Sequence, residues 1–341
     1  MQNDQIRIIN GNEIDGLLCG REREIIELVR CAYETHHRGH SFLPHSVFVR
    51  FPDEPTSRII GLSAYLGESF DLAGFKWIAS FPNNIKRGLE RASALIVLNS
   101  TTTGRPLAIM EGSIISAKRT AASAALAARY LCPDEKLYRA GIIGCGVINY
   151  QVVNFLKAEF TGLRELIVFD TDETRSALFQ EKCSHLMPDI KIRIVSELPL
   201  VLKSCSLISF ATSSTQPHVS DLSACASGTV ILHISLRDLT PEVILSCDNV
   251  VDDVDHICRA QTSVHLASDL TGGTDFIRGS LAEILLGRKR PDGQANVTIF
   301  SPFGLAILDL AVAGWVLTRA QDQGIGTILK SFIPNSWFDQ G

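Results

Sequence analysis

No Cys-x-x-Cys pair and no apolar stretch of membrane-spanning length occurs in this 341-residue sequence, and no lysine or arginine run stands out. The missing apolar run argues against a membrane-spanning helix, and the opening Met1-Gln-Asn-Asp-Gln-Ile-Arg lacks the apolar core of a signal peptide. The expectation is a cytoplasmic protein with no membrane partner. With a net charge of −5 and no outstanding basic run, there is no electrostatic case for nucleic acid or for an anionic lipid surface. The nine cysteines are odd in number and scattered, which suits small buried thiols in a reducing compartment. The nine histidines show no metal-ligand spacing, so no metal is expected; the adjacent His36 and His37 fall near a predicted helix end, where solvated or capping roles are commoner than ligation.

What the sequence does contain is organised around Arg139-Ala-Gly-Ile-Ile-Gly-Cys-Gly-Val-Ile148. A short apolar run ends in Gly144-x-Gly146, and a segment with helical spacing follows (Val147, Val152, Val153, Phe155, Leu156). Strand, glycine turn and helix in that order suit a dinucleotide pyrophosphate: the glycines let the backbone approach the phosphates, and the first N–H groups of the helix face negative charge. Asn149 stands where the usual third glycine would be. The next apolar run, Glu165-Leu-Ile-Val-Phe-Asp170, ends in a carboxylate 26 residues after Gly144. An acid there suits the ribose hydroxyls of NAD and repels the 2′-phosphate of NADP, while the nearby Arg175 works the other way. Cys145, inside the turn, reads either as a small side chain filling it or as a redox-sensitive thiol.

The length allows two domains of ordinary size. An amphipathic helix over about 20–38 is followed by strand patterns at 47–51, 59–62, 74–78, 94–98 and 107–110, the last two joined across the turn-forming Asn99-Ser-Thr-Thr-Thr-Gly-Arg-Pro106. This order predicts an α+β domain with a largely antiparallel sheet. A helix at 116–131, rich in alanine and serine, then links to the glycine turn. From 139 onward strands and helices alternate, with strands at 139–143, 165–169, 191–195, 206–210, 229–234, 249–252 and 297–300, which predicts a parallel Rossmann-type sheet. A long apolar helix after Ser301 is expected to return to the first domain. The α/β chain therefore divides into a discontinuous α+β substrate and dimerisation domain (1–130 and 304–341) and a doubly wound nucleotide-binding domain (131–303).

Four basic residues sit on predicted strands or helix starts of the first domain: Arg58, Lys76, Arg91 and Arg119. Lys76 has Phe75, Trp77 and Ile78 as neighbours. A lysine among apolar groups and other cations has a lowered pKa and serves as general acid or base; strand alternation alone equally allows an exposed lysine. Arginines in such places suit carboxylates, although Arg91 also reads as a structural partner of Glu90. Asp238 follows the strand pattern ending His233-Ile-Ser235, where it either moves protons or caps the helix beginning near Pro241. Ala211-Thr-Ser-Ser-Thr215 reads as the mouth of the parallel sheet or as plain loop.

Gly-Phe-Lys76-Trp-Ile with a following Pro-Asn-Asn, Thr-Gly-Arg105-Pro-Leu-Ala, Ser-Ala-Lys-Arg119-Thr120-Ala-Ala-Ser, Ile-Ile-Gly144-Cys-Gly146, Ala-Thr212-Ser213-Ser and Phe-Gly-Leu-Ala-Ile-Leu-Asp-Leu-Ala together resemble the ornithine cyclodeaminase/μ-crystallin family over nearly the whole chain. The runs Arg87-Gly-Leu-Glu-Arg-Ala-Ser-Ala-Leu-Ile-Val-Leu-Asn99 and Ala108-Ile-Met-Glu-Gly-Ser-Ile-Ile-Ser116 are most similar to the branch that serves 2,3-diaminopropionate biosynthesis. The resemblance implies that Lys76 and Asp238 are the acid and base, and that Arg58, Arg119 and Lys76 hold substrate carboxylate. It also implies NAD bound by Arg119, Thr120, Gly144, Gly146, Val147, Ile148, Asp170, Thr212, Ser213 and Ser235. Arg91 falls where an ornithine cyclodeaminase has a small hydroxyl residue, a departure that favours a more anionic ligand than ornithine. The implied substrate is an amino acid with several carboxylates, oxidised at a CH–NH bond, and the family habit implies a homodimer.

Overall fold

In a computed structural model the described residues are 5–132, 137–289 and 296–332, and they form two compact units. The first comprises residues 5–21, 35–119 and 305–332; the second comprises 22–34 and 120–304. The change of unit falls inside helix Ser113–Leu131, between Arg119 and Thr120. Residues 22–34 group with the second unit because helix Glu22–His37 meets the small-residue stretch of that helix: the buried Tyr33 hydroxyl lies 2.7 Å from Ser123 Oγ.

The first unit is built on an eight-stranded mixed sheet. Strands Glu54–Leu66, Leu72–Ser80, Ala92–Ser100 and Pro106–Glu111 run antiparallel in sequence order, and Val47–Phe51 adds to the outer edge. Ile6–Ile9, which the sequence reading missed, lies parallel to Pro106–Glu111 and antiparallel to Thr327–Leu329. Helix Gly11–Leu18 was missed as well, although Asn10 and Glu13 form a reciprocal capping box that the sequence displays.

Helix Ala306–Asp322 covers the face of this sheet that carries Lys76. Eleven of its seventeen residues are buried, so it is an interior helix rather than an amphipathic surface one. It approaches the strands closely at Gly74, where a Cβ would meet Leu310 Cδ2 at 2.8 Å and the Val97 carbonyl oxygen at 2.5 Å. The opposite face leaves Val47, Val49, Tyr65 and Leu95 exposed, beside the stacked rings of Phe75 and Trp77.

The second unit holds the parallel sheet that the alternating pattern predicts. Its eight strands lie in the order Lys191–Ile194, Glu165–Phe169, Arg139–Ile143, Leu207–Phe210, Thr229–His233, Val297–Ser301, Asp248–Val251, Ile277–Ser280. Every pairing in it is parallel. The inner strands are buried on both faces, as a sheet flanked by helices requires, while the edge strand Lys191–Ile194 is largely exposed. Among the described residues no helix is long and apolar enough to cross a membrane, and no group of three or more His, Cys, Asp or Glu is placed to hold a metal.

Candidate active site

Lys76 points inward from the middle of its strand, under the long helix, and is 2 % exposed. The exposed-lysine alternative is thereby removed. Its Nζ donates to Asp309 Oδ2 at 2.7 Å and to Ser116 Oγ at 3.2 Å, two acceptors where an ammonium has three hydrogens. Arg119, also buried, donates from Nε to Asp309 Oδ1 at 3.0 Å. One carboxylate thus stands between two cations, and the cluster carries one net positive charge out of water. Burial pushes Lys76 down to about 8; Asp309 opposes the shift, and Arg119 reinforces it. Asp309 and Ser116 had not been singled out in the sequence. A single acid amid the apolar run Leu305-Ala-Ile-Leu-Asp-Leu-Ala311 was the available signal, since a charge on a helix buried all round needs a partner.

Arg58 lies half-buried on strand Glu54–Leu66, on the same face as Lys76, because Leu62 of that strand opposes Lys76 and side chains alternate. Arg91 is half-buried just before strand Ala92–Ser100, and its carbonyl accepts from the Phe81 N–H at 2.8 Å.

In the second unit, Gly144 ends strand Arg139–Ile143 at φ +92°, and a Cβ there would sit 2.5 Å from the Ala211 carbonyl oxygen. Gly146 is different. It caps helix Val147–Glu159 with no side-chain bond of its own, and a Cβ added to it would meet no protein atom within 4 Å. The loop is therefore packed on its inner side and open at the helix N-terminus, which fits the approach of a pyrophosphate. Val147 and Ile148 form the first helical positions, and Val147 is exposed. Asn149 replaces the third glycine functionally as well as in sequence. Fully buried, it donates from Nδ2 to the carbonyls of Ile143 (2.9 Å) and Gly144 (2.7 Å), and its Oδ1 accepts from Ser209 Oγ at 2.6 Å.

Asp170 follows the second strand and accepts from the Cys145 N–H at 2.7 Å and the Asp172 N–H at 3.0 Å, which turns its carboxylate toward the glycine loop. The Cys145 thiol is pushed up to about 12, chiefly by burial, so it is a turn filler and not a reactive thiolate.

Asp238 is fully buried. It accepts hydrogen bonds from the Thr212 and Ser235 hydroxyls, and the Nε2 of the equally buried His233 lies 3.3 Å from Oδ2 and 3.2 Å from the Asp238 backbone nitrogen. Burial raises the Asp238 pKa, but His233, Ser235 and Thr212 together outweigh it and hold the carboxyl below the usual aspartate value. The helix at Pro241–Leu245 is capped by Thr240, not Asp238, which removes the capping alternative. Leu236, two residues earlier, takes a left-handed φ of +67°, a conformation that costs a non-glycine residue about 1–3 kcal/mol; the bond from Ser263 N–H to its carbonyl at 2.7 Å helps to hold it. Ser213 is exposed in the adjoining loop, and Thr120 lies part-buried on helix Ser113–Leu131.

A doubly wound parallel sheet, with a glycine loop at its first strand-to-helix turn and an acid ending the second strand, defines the class: a dinucleotide-binding α/β protein. Within that class the chain belongs to the ornithine cyclodeaminase/mu-crystallin family, whose profile matches residues 19–324. It is 26 % identical over 338 residues, covering 97 % of this chain and 100 % of the relative, to N-((2S)-2-amino-2-carboxyethyl)-L-glutamate dehydrogenase of Staphylococcus aureus. The solved structure of Thermococcus litoralis Δ1-pyrroline-2-carboxylate reductase with NADH and L-proline matches with a TM-score of 0.87 and 26 % identity, covering 94 % of this chain and 99 % of that one. An archaeal alanine dehydrogenase dimer with bound NAD matches at 0.84 and 26 %, covering 96 % and 99 %.

Proposed function

We propose that this protein is an NAD-dependent oxidoreductase converting N-(2-amino-2-carboxyethyl)-L-glutamate, NAD⁺ and water into L-2,3-diaminopropionate, 2-oxoglutarate and NADH, a step toward a siderophore or peptide antibiotic. The observation that carries this reading is the buried cluster of Lys76, Arg119 and Asp309, in which a lysine of lowered pKa lies beside a guanidinium suited to a carboxylate. The Staphylococcus relative supports the particular substrate.

Gly144, Gly146, Val147, Ile148 and Asp170 hold the dinucleotide, with Arg119, Thr120, Thr212, Ser213 and Ser235 contributing. When bound, NAD⁺ supplies the hydride acceptor. Arg119 and Arg58 each orient a carboxylate of the substrate. Neutral Lys76 takes the proton lost by the secondary amine as the Cα–N bond becomes an imine. Asp238, fixed by Thr212 and Ser235, takes a proton from the water as it adds to the imine carbon, and protonated Lys76 returns its proton to the leaving nitrogen as the carbinolamine collapses to the ketone with C–N cleavage. The exposed apolar sheet face of the first unit is where a second copy docks, as a homodimer; light scattering on the purified protein measures this directly.

The assay is incubation with NAD⁺ and the glutamate derivative. Formation of NADH, 2-oxoglutarate and diaminopropionate in equal amounts is expected. Absence of all three overturns the assignment, and proline formed from ornithine without net NADH identifies a cyclodeaminase instead.

A further inference from the structure

Several buried or half-buried arginines among the described residues have an acid beside them. Arg119 has Asp309, Arg139 has Glu165 and Arg278 has Asp248. Arg58 makes no ion pair with an acid among the described residues, and the charge that acts on it is that of another arginine, Arg50.

The register explains how they meet. Strand Val47–Phe51 runs antiparallel to Glu54–Leu66 with Arg50 directly opposite Arg58, so the two side chains leave the sheet on the same face as Lys76. Like charges directly opposite one another destabilise a sheet. Burial, and then Arg50, hold the Arg58 guanidinium below its ordinary pKa. Glu54, on the same strand, accepts from the Ser57 hydroxyl at 2.8 Å. The exposed Arg50 guanidinium lies over the Phe48 ring, 5.5 Å from its centroid, a contact that steadies its plane. Two guanidiniums are thus held together at a cost that an anion between them would offset.

We propose that Arg50 and Arg58 form a second anion subsite, which takes a carboxylate of the substrate other than the one beside the reacting carbon. This deepens, and rests on, the reading of the site as one for an amino acid with several carboxylates. Two arginines sharing one carboxylate give each oxygen its own donors. The same pair repels a ligand whose far end is an ammonium, so it selects a dicarboxylic amino acid over ornithine by charge.

The test measures binding, not turnover. Glutarate and butyrate serve as probes, titrated calorimetrically into the full-length protein loaded with NADH. Glutarate is expected to bind the unaltered protein at least tenfold more tightly than butyrate. Arg50→Gln, an exposed position where folding is not at risk, abolishes that difference and leaves butyrate affinity unchanged; Arg50→Lys retains part of it. Equal binding of the two probes by the unaltered protein overturns the subsite. So does a glutarate preference that survives Arg50→Gln, or an equal loss for both probes. If the glutamate derivative is not turned over but glutarate binding still depends on Arg50, the proposed reaction fails and the subsite stands.

Discussion

The two buried clusters solve opposite electrostatic problems. Around Lys76 two cations share one carboxylate, whereas around Asp238 one carboxylate gathers two hydroxyls and an imidazole. The first leaves charge uncompensated and makes an ammonium easy to deprotonate. The second compensates its charge and keeps a carboxylate ionised. Each environment thus lowers the pKa of its group, one by burying a cation beside another cation and the other by supplying hydrogen-bond partners to an anion.

Removing either group tests this contrast most severely. Lys76→Met and Asp238→Asn are each expected to lower kcat by about a thousandfold, with NADH affinity, read by fluorescence titration, kept within about threefold. Lys76→Met is also expected to leave the urea midpoint undiminished at pH 7, because Asp309 and Arg119 then form a neutral pair. A kcat unchanged in Lys76→Met removes that residue from the chemistry.

Asp309→Asn strands two buried cations and is expected to cost about 3–5 kcal/mol in urea unfolding, the usual range for breaking a buried pair. A cost below about 1 kcal/mol would mean that water already screens the cluster.

Within the nucleotide loop, Gly144→Ala collides with the Ala211 carbonyl and takes an unfavourable φ, at a cost of about 2 kcal/mol in stability. Gly146→Ala, with open space around it, should leave stability unchanged and weaken NADH binding about tenfold. The reverse pattern would contradict the assignment of the loop's open side to the pyrophosphate.

The mildest test is the pH profile. Lys76 works as a base only when neutral, so kcat/KM rises with pH, about tenfold per unit, and levels off above about 8. Asp238, held below the normal aspartate value, is ionised throughout this range and contributes no second limb. Asp309 raises the Lys76 pKa, so the limb should move to lower pH in Asp309→Asn. A limb that stays in place belongs to the substrate amine instead.

The parallel sheet was legible because each strand, turn and helix announced itself locally: apolar runs, glycines and a carboxylate at the right spacing. The glycine loop and Asp170 share that advantage. Lys76 was legible from its apolar neighbours. Its counter-ion was not, since Asp309 lies 233 residues away and only the packing of a helix on a sheet joins them. Arg50 was invisible for a related reason: its meaning depends on facing Arg58 across two strands, and register is not written in either strand alone. Asn149 was noticed as a departure from the glycine pattern, but its three hydrogen bonds could not be foreseen without the loop's shape.

Placing Asp309 on helix Ala306–Asp322 makes a side chain depend on a helix encoded 233 residues after it. A ribosome that stopped after strand Val297–Ser301 would already have made the whole parallel sheet, yet Lys76 would have no aspartate beside it. Premature termination or proteolytic nicking at that junction should therefore yield a fragment that still captures nucleotide while having no chemistry to perform.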